Sequence, residues 1–418
     1  MMRRRTMLSH TGTLAALPWW AGAGHAAPTY EKMKLRADDV LHRAVSSGAV
    51  PGVVAAITDP AQSVYAGARG TVGLGEAAAV DLDTVMAVYS MTKPLTSTAA
   101  LQLVEQGKLS LDEPASKHLP QLTAVRVLEG YDANGAPVLR PARRPVTLRH
   151  LLTHTSGFTY DIWDANLRRY YEDQKIPRLA TGKKAALDVP IAFDPGERWQ
   201  YGIGIDWAGQ LVEAASGQSL AEYLKRNVTD PLGMESTGFQ VTPAMRARLS
   251  KMHGRGVDGK LSVMASGQAQ TPEFDAGGSG LYSTANDYLK FLRMILRGGS
   301  ADGRQIVRPE TVELMSRNAI GPLRVSPLKA AIPFLSRDVD FFPGTSKTWS
   351  LAFMLNESTA PTGRSAGSMA WAGLANTYFW IDPVQRIAGL AMMQLLPFAD
   401  PAAIGVALDF EKSVYLSL

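Results

Sequence analysis

Apolar positions along the chain follow two periods. In residues 31–47, Met33, Val40, Leu41 and Val45 make one helical stripe that Gly48 ends. "GVVAAITD" and "SVYAGARGTVG" then read as two strands around a turn at residues 59–62. "VRVLEGYDANGAPVLRPA" has the pattern of a surface hairpin turning at Asn134-Gly135. Residues 147–228 return to helical spacing, with a capping box at Ser219 and Glu222. A further helix is predicted over 283–299, capped by Thr284 and Asp287 as a second box and stopped by two glycines. "SLAFML", "MAWAGLANTYFWIDP" and "RIAGLAMMQLLP" are apolar runs suited to buried strands, and a last helix is expected over 401–415. Strands at both ends around a helical middle predict an α/β (α+β) fold, one sheet built from distant parts of the chain.

Composition narrows the class. The 418 residues are 46% hydrophobic and 19% charged, ordinary globular usage. The net charge is +5, and it falls to +2 without residues 1–26, which hold Arg3, Arg4 and Arg5 and no acid. That balance is no nucleic-acid footprint. Cysteine is absent, which excludes disulfides, a thiol nucleophile and thiolate metal sites.

Residues 1–26 read as a removable export signal: the basic "MMRRRTML", the apolar "TLAALPWWAGAG" and a small-x-small site before Ala27. Arg4-Arg5-Thr6-Met7-Leu8 is similar to the twin-arginine export pattern, so the expected destination is a bacterial periplasm or the medium. No later run has the length of a membrane span, and the mature protein is expected to be soluble.

The chemistry starts in "AVYSMTKPLTSTAALQLVEQG", where Ser90 and Lys93 stand three apart as a strand-like segment becomes helical. On a helix, positions i and i+3 share a face, which puts a serine hydroxyl and a lysine amine within reach. Such a lysine acts as a base only if burial or a nearby cation leaves it neutral. Serine is equally a favoured helix cap, and "SPLK" at 326–329 repeats the same letters. The tetrad alone leaves both readings open.

Other candidates are weaker. The nucleophile-elbow pattern Gly-x-Ser-x-Gly is missing. His150 and His154 lie four apart, a metal-ligand spacing without a third ligand nearby, and His154 is expected to tie down the loop 155–157. "GGSGLYST" lacks phosphate-loop spacing; its glycines suit a close backbone approach beside a site. Tyr160, Trp163 and Trp199 fit an acyl pocket or plain core equally well. No metal or cofactor is expected.

Six blocks occur in the order of one family: "VYSMTKP", "TLRHLLTHTSGF" (147–158), "FDPGERWQYG" (193–202), "DPLGM" (230–234), "GGSGLYSTANDYLKF" (277–291) and "MAWAGLANTYFWIDP" (369–383). In these the chain resembles the serine β-lactamase-like hydrolases, with the fold of class C β-lactamases and penicillin-binding proteins, in their esterase and acyltransferase branch. The resemblance implies a central antiparallel sheet flanked by helices: a sheet domain from 27–89 and 255–418, a mostly helical domain from 90–254, and an active site between them.

It further implies Ser90 as nucleophile, Lys93 as its partner and Tyr201 as an acid and base sharing one proton with Lys93. Backbone N–H groups of Ser90 and Leu374 would form the oxyanion hole. The family's Tyr-x-Asn becomes Tyr201-Gly202-Ile203, and its Lys-Thr-Gly, on an edge strand beside the site, becomes Trp371-Ala372-Gly373, so Ile203, Trp371, Ala372 and Gly373 are expected to contact substrate. Isoleucine and tryptophan remove polar partners used for anionic β-lactams or D-amino-acid peptides, favouring a small-molecule ester of an apolar acid. Ester hydrolysis or acyl transfer through an acyl-serine is thus the expected activity. A β-lactamase or D-amino-acid peptidase, and a non-catalytic binding protein on the same fold, are the alternatives.

Overall fold

A computed structural model describes residues 30–265 and 268–418; the export-signal reading of residues 1–26 lies outside the described residues. Its frame is a seven-stranded sheet. In chain order the strands are β1 (Gly52–Thr58), β2 (Ser63–Gly70), β3 (Lys347–Trp349), β4 (Met354–Asn356), β5 (Met369–Gly373), β6 (Thr377–Asp382) and β7 (Ile387–Met392). In space the order is β3-β4-β5-β6-β7-β1-β2, every neighbour antiparallel. The two ends of the chain meet where β1 pairs with β7, Ala55 opposite Ala391 and Ala56 opposite Leu390.

Of the apolar runs expected as buried strands, one supplies two and another is mostly a turn. "MAWAGLANTYFWIDP" is a hairpin, β5 and β6, with Asn376 left-handed (φ 57°) in its turn. "SLAFML" is mainly the turn between β3 and β4. There Ser350 Oγ accepts the N–H groups of Ala352 and Phe353, at 3.1 and 2.9 Å, which folds the backbone into a turn.

Side chains on a strand alternate between faces, so neighbouring Phe379 and Trp380 report opposite sides of the sheet. Phe379 meets Tyr288 of the helix Ala285–Leu296, and Trp380 meets Phe410 of the helix Pro401–Tyr415. Helices therefore cover both faces, which is why β1, β6 and β7 are buried throughout. The helix Glu31–Ser46 joins the second layer through Met33, Ala37, Val40, Leu41 and Ala44. Burying each of its larger apolar side chains stabilises the fold by about 1.5–3 kcal/mol.

The capping box at Ser219 and Glu222 is complete. At Thr284 only half of the predicted box forms: Thr284 Oγ1 accepts Asp287 N–H at 3.2 Å. The Asp287 carboxylate instead accepts from Ser236 N at 2.7 Å and Thr237 Oγ1 at 3.0 Å, anchoring a neighbouring loop.

Between the sheet segments lie α1 (Thr92–Glu105) and α2 (Gly204–Ser216), which pack on each other. Twelve of the fourteen residues of α1 are buried, so it runs through the core. Its N-terminal turn faces β5. No helix among the described residues is long and apolar enough to cross a membrane.

Candidate active site

The turn that presents Ser90 is held from three directions. Met86–Ala87 pairs with Tyr282–Ser283, Thr92 Oγ1 accepts from Leu281 N at 3.0 Å, and Tyr288 Oη donates to the Met91 carbonyl at 2.9 Å. Tyr89 sits at φ 44°, a conformation unfavourable for a bulky residue, immediately before Ser90. A 3-10 turn over Tyr89–Met91 then feeds α1. Ser90 makes no side-chain cap there, so the capping reading of this serine is not realised.

One helical turn on, Lys93 is fully buried with Nζ 3.2 Å from Ser90 Oγ. The same amine donates to the Gly278 carbonyl at 2.7 Å and to Tyr160 Oη at 3.0 Å. Burial pulls Lys93 well below the ordinary lysine range, and the nearby Asp206 carboxylate opposes this.

Tyr201 reaches the same point from the loop before α2. It is 2% exposed and accepts the Trp371 indole N–H at 3.1 Å. Burial pushes its phenol up, with the nearby Ser90 and Trp371 opposing. The expected Lys93–Tyr201 proton pair is not formed as a hydrogen bond. Lys93 Nζ stands 4.6 Å from the Tyr201 ring centroid, over its face, and gives its tyrosine hydrogen bond to Tyr160. Burial thus favours a neutral amine on Lys93 and a protonated phenol on Tyr201.

His154 also differs from its expected place. It does not tie down 155–157. Its carbonyl accepts Gln200 N–H at 2.9 Å and its Nδ1 accepts Gly202 N–H at 3.4 Å, clamping the chain on both sides of Tyr201. The ring packs against Tyr201 and Trp349 at 4.7 and 4.8 Å between centroids. His150 instead completes a capping box with Thr147, so the two imidazoles have separate partners.

The strand beside the site is not an edge strand. β5 lies between β4 and β6, but its pairing with β4 ends at Ala370, leaving residues 371–373 paired to β6 alone. Their other side meets the Ser90 turn. A Cβ on Gly373 would lie 2.2 Å from the Val88 carbonyl, so only glycine lets the strand come this close.

A cleft of about 1070 Å³, counting its open mouth, ends at Ser90. Leu374, Tyr89, Tyr160, Trp163, Phe239 and Phe274 line it, so its walls are mainly apolar. An Asp161–Arg178 ion pair, 2.9 Å apart, supplies charge along the wall. Of the residues expected to contact substrate, Trp371, Ala372, Gly373 and Ile203 stand outside this lining. Trp371 is 5% exposed and packed against Tyr201, Trp349 and Phe341. Ile203 is buried at the start of α2. The aromatic question is answered residue by residue: Tyr160 and Trp163 line the cleft, whereas Trp199 is core behind Tyr201.

Sequence reasoning missed two members of the site. The Gly278 carbonyl could not be anticipated beyond the need for glycine near a helix. Asp206, fully buried on α2, gave no signal beyond an acid in a first helical turn, where it reads as an ordinary dipole partner.

Residues 37–411 match the family described as Beta-lactamase. The chain is 34% identical over 346 residues to monacolin J acid methylbutanoyltransferase of Aspergillus terreus, covering 80% of this chain and 83% of that protein. It is 31% identical over 398 residues to lovastatin esterase of Penicillium rubens, covering 90% and 97%. Among solved structures, the LovD6 mutant of simvastatin synthase (LovD) from Aspergillus terreus superposes with a TM-score of 0.81 at 32% identity, covering 94% of this chain and 99% of that one. With its antiparallel sheet, covering helices and a match over residues 37–411, the chain belongs to the β-lactamase family, and these relatives are enzymes of acyl transfer and ester cleavage.

Proposed function

We propose that the chain is a serine esterase or acyltransferase that works through an acyl-serine intermediate. The observation that carries this reading is the buried Lys93 amine, 3.2 Å from Ser90 Oγ, at the end of an apolar cleft. Lys93 takes the Ser90 proton as Oγ attacks the ester carbonyl. The resulting oxyanion sits against the N–H groups of Ser90 and Leu374, both at the cleft. Tyr201 gives its proton to the departing alkoxide, leaving acyl-Ser90. Water or an alcohol then enters, and the same groups run in reverse to release acid or a new ester.

Apolar walls and the loss of polar side chains at positions 203 and 371 favour esters of apolar acids over anionic β-lactams. The acyltransferase and esterase names of the relatives agree with that choice. A fluorophosphonate should add to Ser90, read by intact mass, and p-nitrophenyl esters of graded acyl length, with and without added alcohol, should be turned over. Absence of both would leave a binding protein. Hydrolysis of a chromogenic cephalosporin at rates rivalling p-nitrophenyl butyrate would place the activity with β-lactams. We also propose export directed by residues 1–26; the secreted protein should begin at Ala27 by N-terminal sequencing.

A further inference from the structure

Asp206 is a fully buried carboxylate that the scheme above does not use. Its Oδ1 accepts the Gly278 N–H at 2.9 Å, and the Gly278 carbonyl in turn accepts Lys93 Nζ at 2.7 Å. One residue's backbone is gripped by the acid at its N–H and by the amine at its C=O. Asp206 Oδ2 has no hydrogen-bond partner among the described residues. It lies 2.5 Å from the place a Cβ on residue 278 would occupy, and Tyr160 Oη lies 3.0 Å from the same point. The carboxylate, the tyrosine hydroxyl that Lys93 bonds and the lysine's carbonyl partner thus gather around a bare Cα.

Holding the Gly278 N–H needs only an acceptor, which an amide would supply without the several kcal/mol that burying an ion costs. A full charge is useful there only if an opposite charge forms nearby. The titratable groups around the pair are Lys93 on α1, His154 before the Tyr201 loop, and Tyr160, Tyr171 and Tyr201. In the resting site burial holds the imidazole and the three phenols neutral, and Tyr201 gives up its proton only later, to the departing alkoxide. That leaves Lys93 as the group that becomes a cation.

We infer that Asp206 is a positioning residue whose carboxylate is the counter-charge for the ammonium Lys93 becomes on taking the Ser90 proton, coupled to it through Gly278 and Tyr160. The inference rests on the serine-hydrolase reading of Ser90 and Lys93. The proton moves from Ser90 Oγ to Lys93 Nζ and stays there until the acyl-serine is resolved. Burial pushes the Asp206 carboxyl up to about 6, with Lys93 and the Gly278 N–H opposing; above that pH it is the carboxylate, and in this step it takes no proton and touches no substrate.

The sign of the effect follows. Removing the carboxylate makes the ammonium less favourable, so Lys93 stays neutral to lower pH while becoming a weaker base. The test is the rate of Ser90 modification by a fluorophosphonate, read by intact mass against pH, in wild type, Asp206→Asn and Tyr160→Phe. Asp206→Asn should lower the limiting rate about tenfold or more and move the acid limb about one pH unit or more to lower pH. Tyr160→Phe should move the limb the same way by less, and it carries the test if Asp206→Asn does not fold. A purely structural Asp206 would change yield or melting while leaving the limb at its wild-type position, and that result would overturn the inference. If wild-type Ser90 were not labelled at any pH, the serine-hydrolase reading itself would fail, and this inference with it.

Discussion

The chain spells Ser-x-x-Lys at 90–93 and again at 326–329, and the structure treats the two stretches in opposite ways. Ser90 and Lys93 straddle a 3-10 turn running into α1, both buried, their polar atoms 3.2 Å apart. Residues 326–329 are extended, because Pro327 disfavours a helical Ser326 and Leu328 exchanges both backbone hydrogen bonds with Val339. Ser326 is exposed, and Lys329, its side chain 79% exposed, pairs its amine with Asp338 at 2.7 Å. Burial disfavours the ammonium of Lys93, while Asp338 favours that of Lys329. Spacing becomes chemistry only when a helix turns it into proximity and burial turns the lysine into a base.

The largest expected effect is at the nucleophile. Ser90→Ala should abolish both ester turnover and fluorophosphonate labelling, and retention of ester cleavage in that variant would show that the first stretch has no more chemistry than the second. Lys93→Ala and Tyr201→Phe should each lower kcat/KM by about a thousandfold or more, because members of a catalytic unit fail together. Near-normal turnover in Tyr201→Phe would remove the acid role assigned to that phenol.

The pH profile separates the two lysines without mutation. A buried lysine whose folded value is lowered is neutral, and active as a base, down to pH values where a free lysine is charged. Activity should therefore hold above neutrality and fall through about pH 7 as acid protonates Lys93. A base with the character of Lys329 would instead lose activity as pH drops out of the alkaline range. Steady-state kcat/KM against pH, on a substrate whose own chemistry is pH-independent, distinguishes them.

Much of the frame was legible because it follows period and punctuation. The helix 401–415, the strands around 59–62 and the box at Ser219 appear where the pattern places them. Buried turns were not legible: at Ser350–Phe353 apolar residues mimic a strand, and only the serine's capture of two amides reveals the bend. In the site, Ser90 and Lys93 meet as a consequence of helical geometry. Tyr160 meets Lys93, and Asp206 comes near it through Gly278, by tertiary packing over long sequence separations, which local pattern does not encode. Substitution at 203 and 371 was visible, but where those side chains point was not. Trp371 turns inward because it packs against Trp349 and Phe341 and donates to Tyr201, leaving Leu374 as the cleft residue of that hairpin.

That inward turn sets a smaller prediction. Trp371→Phe keeps an aromatic ring in the cluster and deletes the indole N–H that Tyr201 accepts. Losing one such hydrogen bond to a neutral partner should cost about threefold to tenfold in kcat. The acyl-length preference across the ester panel should be unchanged, since the ring does not line the cleft. A changed preference would return Trp371 to the substrate-contacting role expected from the family pattern.

The smallest effect belongs to the second stretch. Ser326→Ala removes a hydroxyl from an exposed, extended segment, and Lys329→Ala breaks an ion pair in solvent, where screening and side-chain entropy offset most of the attraction. Neither side chain is in the cleft lining. Both variants should match wild type in kcat/KM, in the position of the acid limb and in melting midpoint. The backbone pairing of Leu328 with Val339 uses neither side chain, so the local fold survives as well. Any loss of turnover in Ser326→Ala would mean that this segment, although outside the cleft here, joins the site when substrate binds, and the contrast drawn between the two stretches would then be one of resting conformation alone.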